Sequence, residues 1–352
     1  MMNSQGDFGF RPSPAATGIV AADRVEIRDI LSGNDGRLLV IVGPCSAWPE
    51  DAVLTYAEKL RAVSDAVSDR IKIVMRVYTQ KPRTVDGWNG LLVQPDPFSS
   101  PDMEEGLRRA AALMERIVLM GLPIADEALF LSPSLVLSQW LSWTAIGARS
   151  SEDQEHRAYA SGIGIPVGVK HPTSGSVPVG VNGIVAARSP QFSPLFSDDS
   201  FTDGNPHAHL VLRGGESGTN YDAANILAAC RLLREKGIGN PAVLVDSSHD
   251  NVRIDGVKDP SRQIAVTREV LASLSSDREA QEGFRGFMLE SFLKPGNQDL
   301  RKTGPDGIDR DGLSITDPCL SWMETESLLR EMAVTWEGKK SAMSAISARE
   351  SH

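Results

Sequence analysis

The sequence predicts a closed (β/α)8 TIM barrel with a short N-terminal extension, and two observations lead to this fold class. Eight short apolar runs recur along the chain, and each has the length expected of a strand that is buried on both faces. Between the runs lie longer segments with apolar residues three and four positions apart, a spacing typical of amphipathic helices. Strands that alternate with helices form a parallel sheet, and eight such units favour a closed barrel.

The predicted strands can be placed in chain order. They are LLVIVG (38–43), IKIVMRV (71–77), LPIADE (122–127), TAIGA (144–148), PVGVK (166–170), AHLVLR (208–213), AVLVDSS (242–248) and GFMLES (286–291). The fourth run is short and gives the weakest of these predictions. Helices are predicted between the runs, for example over PEDAVLTYAEKLRAVSDAV and YDAANILAACRLLREKG.

The ends of the chain differ from this alternating pattern. Residues 1–36 begin with Gly, Pro and Ser and continue into AADRVEIRDILSG, which predicts an arm and a lead-in helix. We expect the catalytic barrel to occupy residues 37–337 and a C-terminal tail to occupy residues 338–352.

The composition excludes several classes of partner. With 36 Lys and Arg against 46 Asp and Glu, the formal net charge is -10, which argues against a surface for nucleic acid or anionic lipid. No run approaches the roughly 18 apolar residues of a membrane span. The N-terminus lacks the basic and apolar regions of a signal peptide. We therefore expect a cytoplasmic protein without nucleic-acid or membrane partners.

Polar residues follow nearly all the predicted strands. In a barrel of this kind the chemistry lies at the carboxyl ends of the strands, so closure would gather these residues at one rim. They are Cys45, Arg76, Lys81, Arg83, Glu127, Arg149, Lys170, Arg213, His249 and Glu290, with Asp317 following in SITD.

Five of these residues are cations that would repel one another without an anion between them. They are Arg76, Lys81, Arg149, Lys170 and Arg213. Arginine binds carboxylate or phosphate with two parallel hydrogen bonds, and lysine adds a compact charge. A single substrate with both a phosphate and a carboxylate would satisfy this set. The alternative is that each cation pairs with a neighbouring acidic residue as ordinary surface charge.

A second group combines sulfur, nitrogen and oxygen donors. Cys45, His249, Glu290 and Asp317 would form a shell that suits a divalent first-row transition ion. The alternative interpretation is a core cysteine and a structural histidine. Three scattered cysteines are too few for a disulfide framework or a paired-cysteine zinc site.

An ordered set of motifs carries a family resemblance. GPCS, KPRT, GWNGLL, SWTAIGARSSEDQEHRAYASG, LRGG, DSSH, ESFLKPGNQ and SITDPCLSW occur in this order. The chain thereby resembles the type I 3-deoxy-D-arabino-heptulosonate 7-phosphate (DAHP) synthases over about residues 30 to 335. The resemblance implies a metal-dependent condensation of phosphoenolpyruvate with erythrose 4-phosphate that releases phosphate and opens the shikimate pathway.

The resemblance also implies a role for each rim residue. Arg76, Lys81 and Lys170 would hold the phosphoenolpyruvate carboxylate, Arg149 and Arg213 its phosphate, and Arg83 and Thr84 the phosphate of the aldose. Cys45, His249, Glu290 and Asp317 would bind Mn²⁺, Fe²⁺, Co²⁺ or Zn²⁺. Lys81, Glu127, His249 and Asp317 are the implied catalytic residues, with Glu127 acting on the attacking water. Family members are commonly dimers or tetramers, so we expect a homo-oligomer.

Two stretches depart from the pattern of the best-known members. His171 and Pro172 stand where those members have Asn and Gly, and VQPD replaces Ile-Asn-Asp after GWNGLL. We expect both stretches near the acceptor end of the site. They leave open a different aldose phosphate in a specialised secondary pathway, and a non-catalytic barrel that acts as a partner subunit is a further alternative.

Overall fold

A computed structural model describes residues 10–83, 87–196, 201–254 and 256–336 of the chain. Its strands are β1 Leu38–Gly43, β2 Ile71–Arg76, β3 Ile124–Ala128, β4 Trp143–Ile146, β5 Val167–Lys170, β6 His209–Leu212, β7 Val243–Asp246, β8 Arg253–Ile254, β9 Val257–Lys258 and β10 Phe284–Glu290. Eight of these strands close a parallel barrel in the order β1-β10-β7-β6-β5-β4-β3-β2. The predicted (β/α)8 barrel is therefore confirmed.

Helices alternate with the barrel strands. They are α1 Pro14–Ser32, α2 Glu50–Val67, α3 Met103–Leu119, α4 Leu131–Leu137, α5 Gln154–Gly162, α6 Val177–Arg188, α7 Ala223–Glu235, α8 Arg262–Leu274, α9 Arg278–Gly283, α10 Leu300–Gly307 and α11 Trp322–Thr335, with 3-10 turns at Ser138–Trp140 and His249–Val252. Several begin at an acidic cap, because the carboxylate accepts an otherwise unpaired N–H of the first turn. Asp102, Asp153 and Asp222 act in this way at α3, α5 and α7.

The structure refines several bounds of the predicted elements; β7, for example, ends at Asp246 rather than at residue 248. The fourth strand ends at Ile146, so Gly147 and Ala148 lie beyond it at the barrel mouth. The lead-in helix begins at Pro14, earlier than the sequence pattern indicated, because Ser13 caps it through the Ala16 N–H. The antiparallel pair β8 and β9 was not predicted, since two-residue strands leave no apolar pattern.

The interior of the ring is an apolar core that is closed at one end. Ile41, Val74, Trp143 and Met288 belong to this core, together with Ile30 and other residues of α1. Polar contacts fix α1 beneath the strands. The Arg24 Nε donates to the Leu141 carbonyl at 2.9 Å, and the Arg285 Nε donates to the Leu31 carbonyl at 3.0 Å. Because Leu141 and Arg285 lie at the starts of strands, α1 seals the amino-terminal end of the barrel.

A second, larger apolar layer joins the outside of the strands to the helices. It includes Val40, Leu60, Ile117 and Leu329. Parallel strands that are covered on both faces are rigid supports, so the loops after them can hold side chains in fixed positions. Within the described residues, no helix combines the length and apolar character that crossing a bilayer requires.

Candidate active site

A cavity of about 360 Å³ opens at the carboxyl ends of the strands. Residues at the carboxyl ends of the barrel strands and in the segments that follow them line it. They are Arg76, Tyr78, Lys81, Pro82, Arg83, Glu127, Ala148, Arg149, Lys170, Arg213, His249, Lys258, Thr316 and Asp317. The barrel thus brings together side chains that are more than 200 positions apart in the sequence.

Three of the four predicted metal ligands converge beside this cavity. One ligand atom each of Cys45, Glu290 and Asp317 lies within 4.8 Å of the other two. Burial, followed by the charge of Glu290, raises the pKa of the Cys45 thiol. Metal binding at this cluster would therefore release a proton, since the thiolate is the ligand form.

His249, the fourth predicted ligand, lies next to this cluster. Its Nε2 is 3.9 Å from Glu290 Oε1, while its Nδ1 lies 2.8 Å from Asp246 Oδ2. A carboxylate on one ring nitrogen commonly orients the other toward a metal. His249 has φ of +53°, a conformation that non-glycine residues adopt rarely and often at functional sites. Burial lowers the pKa of His249, which favours the neutral, ligating form.

Two lysines already place positive charge at the cluster. The Lys81 Nζ donates to Cys45 Sγ at 3.1 Å and to the Cys45 carbonyl at 2.8 Å. The Lys258 Nζ donates to Asp317 Oδ2 at 2.8 Å. A site that attracts two ammonium groups and offers sulfur, carboxylate and imidazole donors fits a divalent transition ion.

Arg76 lies at the bottom of the cavity and is fully buried. Its NH2 group donates to Glu290 Oε1 at 3.0 Å, and its guanidinium lies 3.9 Å from the centre of the Tyr78 ring. Its remaining terminal nitrogen, NH1, has no hydrogen-bond partner among the described residues. A buried donor without a partner is rare, so this nitrogen is suited to an anionic ligand.

Lys170 and Glu127 face each other across the cavity. The Lys170 Nζ is 3.5 Å from Glu127 Oε2 and 3.5 Å from Asp246 Oδ2. Burial opposes ionisation of Glu127, but the charges of Lys170 and Lys81 outweigh it and hold the pKa of this carboxyl below its usual value. Glu127 is therefore a carboxylate at neutral pH and can accept a proton.

Arg213 and Arg149 lie at the side of the cavity toward the β7 loop. Arg213 is almost fully buried and pairs with Asp250 Oδ2 at 2.8 Å through NH2, while its Nε has no hydrogen-bond partner among the described residues. Arg149 is exposed at the rim. Both arginines also line an adjoining cavity of about 600 Å³.

Arg83 is exposed at the opposite side and connects the main cavity to another of about 660 Å³. Gln94 of VQPD and Pro97 just after it line that second cavity, so VQPD lies on the Arg83 side of the site. Thr84 lies outside the described residues.

His171 lies on the Arg213 side of the site and does not line the cavity that Gln94 and Arg83 share. The side chain is fully buried behind Arg213, whose backbone N–H donates to His171 Nε2 at 3.1 Å. His171 directly follows β5, so the strand end directs it toward β6 and the Arg213 side of the site.

The sequence did not single out four residues that shape the site: Lys258, Asp246, Asp250 and Tyr78. Asp246 could have been found, because a carboxylate at the end of a buried strand is unusual. Lys258 gave no signal, because a single cation in a polar loop is usually solvated.

Comparisons with known proteins agree with this geometry. The family model described as the DAHP synthetase I family matches residues 16–330. A Tyr-sensitive phospho-2-dehydro-3-deoxyheptonate aldolase of Salmonella typhimurium is 40% identical over 337 residues, which cover 94% of this chain and 92% of that protein. A Trp-sensitive one of Enterobacter agglomerans is 41% identical over 328 residues, which cover 91% of this chain and 90% of that protein.

A solved structure is similar over the same extent. The phospho-2-dehydro-3-deoxyheptonate aldolase from Francisella tularensis SCHU S4 matches with a TM-score of 0.86 and 34% sequence identity, and the match covers 94% of each chain. Both the family model and these relatives span nearly the whole barrel. The chain therefore belongs to the DAHP synthetase I family.

Proposed function

We propose that the chain is a 3-deoxy-7-phosphoheptulonate synthase, a transferase that forms a carbon-carbon bond. It condenses phosphoenolpyruvate with erythrose 4-phosphate and water to give 3-deoxy-D-arabino-heptulosonate 7-phosphate and phosphate, the first step of the shikimate pathway. One observation carries the proposal: cationic side chains surround a single cavity that borders a cluster of metal-binding donors.

The cations divide into groups that suit the two ends of phosphoenolpyruvate. Arg76, Lys81 and Lys170 line the deep part of the cavity and would hold the carboxylate. Arg149 and Arg213 would hold the phosphate. The unpaired nitrogens of Arg76 and Arg213 support this assignment, because each offers a donor that a bound anion would satisfy.

The acceptor would lie toward the second cavity. Arg83 and Thr84 would bind the phosphate of the aldose, and Asp317, which lines both cavities, would contact its hydroxyl groups. Of the two sequence departures, VQPD lies on the Arg83 side and His171 contacts Arg213. On the proposed assignment of the two substrates, only VQPD would bear on the choice of aldose.

Cys45, His249, Glu290 and Asp317 would hold a divalent ion such as Mn²⁺, Fe²⁺, Co²⁺ or Zn²⁺. When bound, such an ion supplies Lewis acidity that polarises the aldehyde of the acceptor. We assign Asp246 the role of orienting His249, because it contacts the ring nitrogen that would not ligate.

The protein side chains supply the remaining chemistry. C3 of phosphoenolpyruvate bonds to the aldehyde carbon, water adds at C2, and the bond between C2 and the phosphate oxygen breaks as the C2 hydroxyl becomes the ketone. The two protons of the water end on the former aldehyde oxygen and on the departing phosphate. Glu127 accepts a proton from the water, while Lys170 beside it keeps the carboxylate ionised. The cations hold two polyanions together and so lower the entropic and electrostatic cost of their encounter. Lys81, Glu127, His249 and Asp317 are the proposed catalytic residues.

The experiment that tests the function measures phosphate release with both substrates before and after exhaustive chelation. We expect chelated protein to be inactive and Mn²⁺, Fe²⁺, Co²⁺ or Zn²⁺ to restore activity. Mg²⁺, a hard cation, is the control and should restore less. Full turnover after chelation would contradict the proposal. A parallel panel of aldose phosphates should give the highest kcat/KM with erythrose 4-phosphate, and a better acceptor would favour the secondary-pathway alternative.

The proposal extends to the organisation of the protein. We infer an arm and lead-in helix over residues 1–36, the barrel over residues 37–337 and a tail over residues 338–352. Residues 1–9 and 337–352 lie outside the part of the chain that the structure describes. A homo-oligomer, either dimer or tetramer, and a cytoplasmic location stay predictions. Light scattering coupled to size-exclusion chromatography tests the first and cell fractionation tests the second.

A further inference from the structure

His171 occupies a position whose bonding pattern can be assigned atom by atom. Its Nε2 accepts hydrogen bonds from the Arg213 backbone N–H at 3.1 Å and from Asn220 Nδ2 at 2.8 Å. Its Nδ1 lies 3.0 Å from the Pro172 carbonyl oxygen, which can only accept. Because a backbone N–H can only donate, Nε2 must be unprotonated and Nδ1 must carry the proton.

The surroundings hold this ring in its neutral form. The side chain is fully buried, and burial lowers the pKa of His171 to about 4. Gly180 of α6 lies directly against it, since a Cβ at that glycine would be 2.9 Å from the His171 Cβ. The ring therefore has little freedom to turn, and both nitrogens are used.

Asn220 extends these contacts to two more strand ends. The side-chain Oδ1 of Asn220 accepts from the Gly214 N–H at 2.8 Å, and the backbone N–H of Asn220 donates to Asn251 Oδ1 at 3.0 Å. Asn251 Nδ2 donates in turn to the Asp246 carbonyl at 2.8 Å. The ends of β5, β6 and β7 are thereby connected through side chains.

The backbone after β6 is held from the β7 side as well, because the Asp250 N–H donates to the Arg213 carbonyl at 3.2 Å. Gly214 has φ of +68°, and a Cβ there would lie 2.6 Å from the Asn251 nitrogen. The side chain of Arg213 is fixed mainly by Asp250, which belongs to the turn that also carries His249. A shift of the Arg213 backbone would therefore move its guanidinium relative to the cavity.

We propose that His171 is a positioning residue for the anion-binding arginine: with Asn220, it fixes the Arg213–Gly214 backbone so that the guanidinium faces the phosphate group of the substrate. This inference rests on the proposed function for the identity of that phosphate. His171 touches no reacting atom and acts only through Arg213.

The test compares His171→Leu, which removes the acceptor nitrogen, with His171→Gln, whose side-chain oxygen can take its place. For His171→Leu we expect KM for phosphoenolpyruvate and the inhibition constant of inorganic phosphate each to rise about tenfold, the change that corresponds to about 1.4 kcal/mol of binding. For the same variant we expect kcat and the KM for the aldose to change less than about twofold from wild type. His171→Gln should recover most of the loss.

His209 provides a matched control at the other end of the barrel. It is also buried, accepts from Trp143 Nε1 at 3.1 Å and has Nδ1 2.8 Å from the His207 carbonyl oxygen. We expect His209→Leu to lower the melting temperature without raising KM for phosphoenolpyruvate. Equal losses in kcat and both KM values for His171→Leu, or an unchanged phosphate affinity, would overturn the inference.

Two readouts keep the inference separate from the proposed function and from folding failure. Calorimetric titration with inorganic phosphate measures the anion site directly, so it remains informative if the wild-type protein fails to turn over the two substrates. Nitrogen NMR of histidine-labelled wild-type protein should show one ring, absent from the His171→Gln spectrum, that is protonated at Nδ1 only. Protonation at Nε2 instead would overturn the inference, and the conservative His171→Gln variant is needed only to assign the signal.

Discussion

The Arg76 guanidinium is buried deep in the barrel, yet it is stabilised there and can still bind an anion. Removing a guanidinium from water is costly, and the cost is offset here by Glu290 at 3.0 Å and by the face of the Tyr78 ring. These partners engage one terminal nitrogen and the ring face, and NH1 is left without a hydrogen bond among the described residues. Arg76 is thus held in place by some of its groups and can bind an anion with another.

Replacement of Cys45 tests the metal site at the level of one atom. We expect Cys45→Ser to lower the affinity for Co²⁺ or Zn²⁺ by at least about tenfold, because a hydroxyl is a poorer ligand than a thiolate for these ions. Equilibrium dialysis measures the affinity, and the thiolate absorption band of the Co²⁺ form should disappear. Cys230→Ser, at a buried helix position, is the control and should keep the band. Unchanged affinity in Cys45→Ser would contradict the assignment.

Glu127 is the residue for which a loss of rate is expected without a loss of binding. Glu127→Gln keeps the shape of the side chain but cannot take a proton from water, so we expect kcat to fall about 10²-fold to 10⁴-fold with little change in KM. Steady-state kinetics with both substrates measures this. Glu58→Gln on the exposed side of α2 serves as the control. A rise in KM with kcat unchanged would assign Glu127 to substrate binding instead.

At the level of elements, the apolar runs predicted all eight barrel strands, because a strand covered on both faces is apolar over most of its length. The end of β4 was misplaced by two residues, since Gly147 and Ala148 continue the apolar run although their backbone has left the sheet. The site residues that end strands followed from topology. Lys258 and the contacts of His171 did not, because both depend on loop paths that no periodic pattern encodes.

Helix α1 offers a test of how much the sealed end of the barrel contributes to stability. Ile30 is fully buried against the barrel core, and truncation of such a side chain leaves a cavity. We expect Ile30→Ala to lower the free energy of unfolding by about 2–5 kcal/mol. Urea denaturation measures it. Val25→Ala on the exposed face of the same helix, where Val25 is 55% exposed, should stay close to wild type. Equal effects of the two changes would show that α1 does not pack as described.

For the whole molecule, anion binding depends on where the charges lie more than on the net charge. A chain with a net charge of -10 concentrates cations around one cavity, where Asp and Glu neighbours offset only part of the positive charge. Low-dielectric walls strengthen such a local field. A bound anion would therefore relieve repulsion among these cations.

Phosphate should accordingly stabilise the folded protein. At about thirty times its dissociation constant, inorganic phosphate is expected to add about 2 kcal/mol and to raise the melting temperature by about 3 °C. Calorimetry at matched ionic strength with chloride measures the difference. Arg213→Ala should lose most of this gain, whereas Arg278→Ala, at an exposed helix position, should keep it. An equal effect of chloride and phosphate would mean that general screening is responsible.

Helix α1, which closes the amino-terminal end of the barrel, also means that ligands can enter and leave only at the carboxyl-terminal end. Molecules that reach Arg76 must leave at the carboxyl-terminal rim, past Arg83 or past Arg149, because apolar side chains fill the ring beneath. If two ligands bind at different depths of this cavity, the outer one must therefore leave before the inner one can.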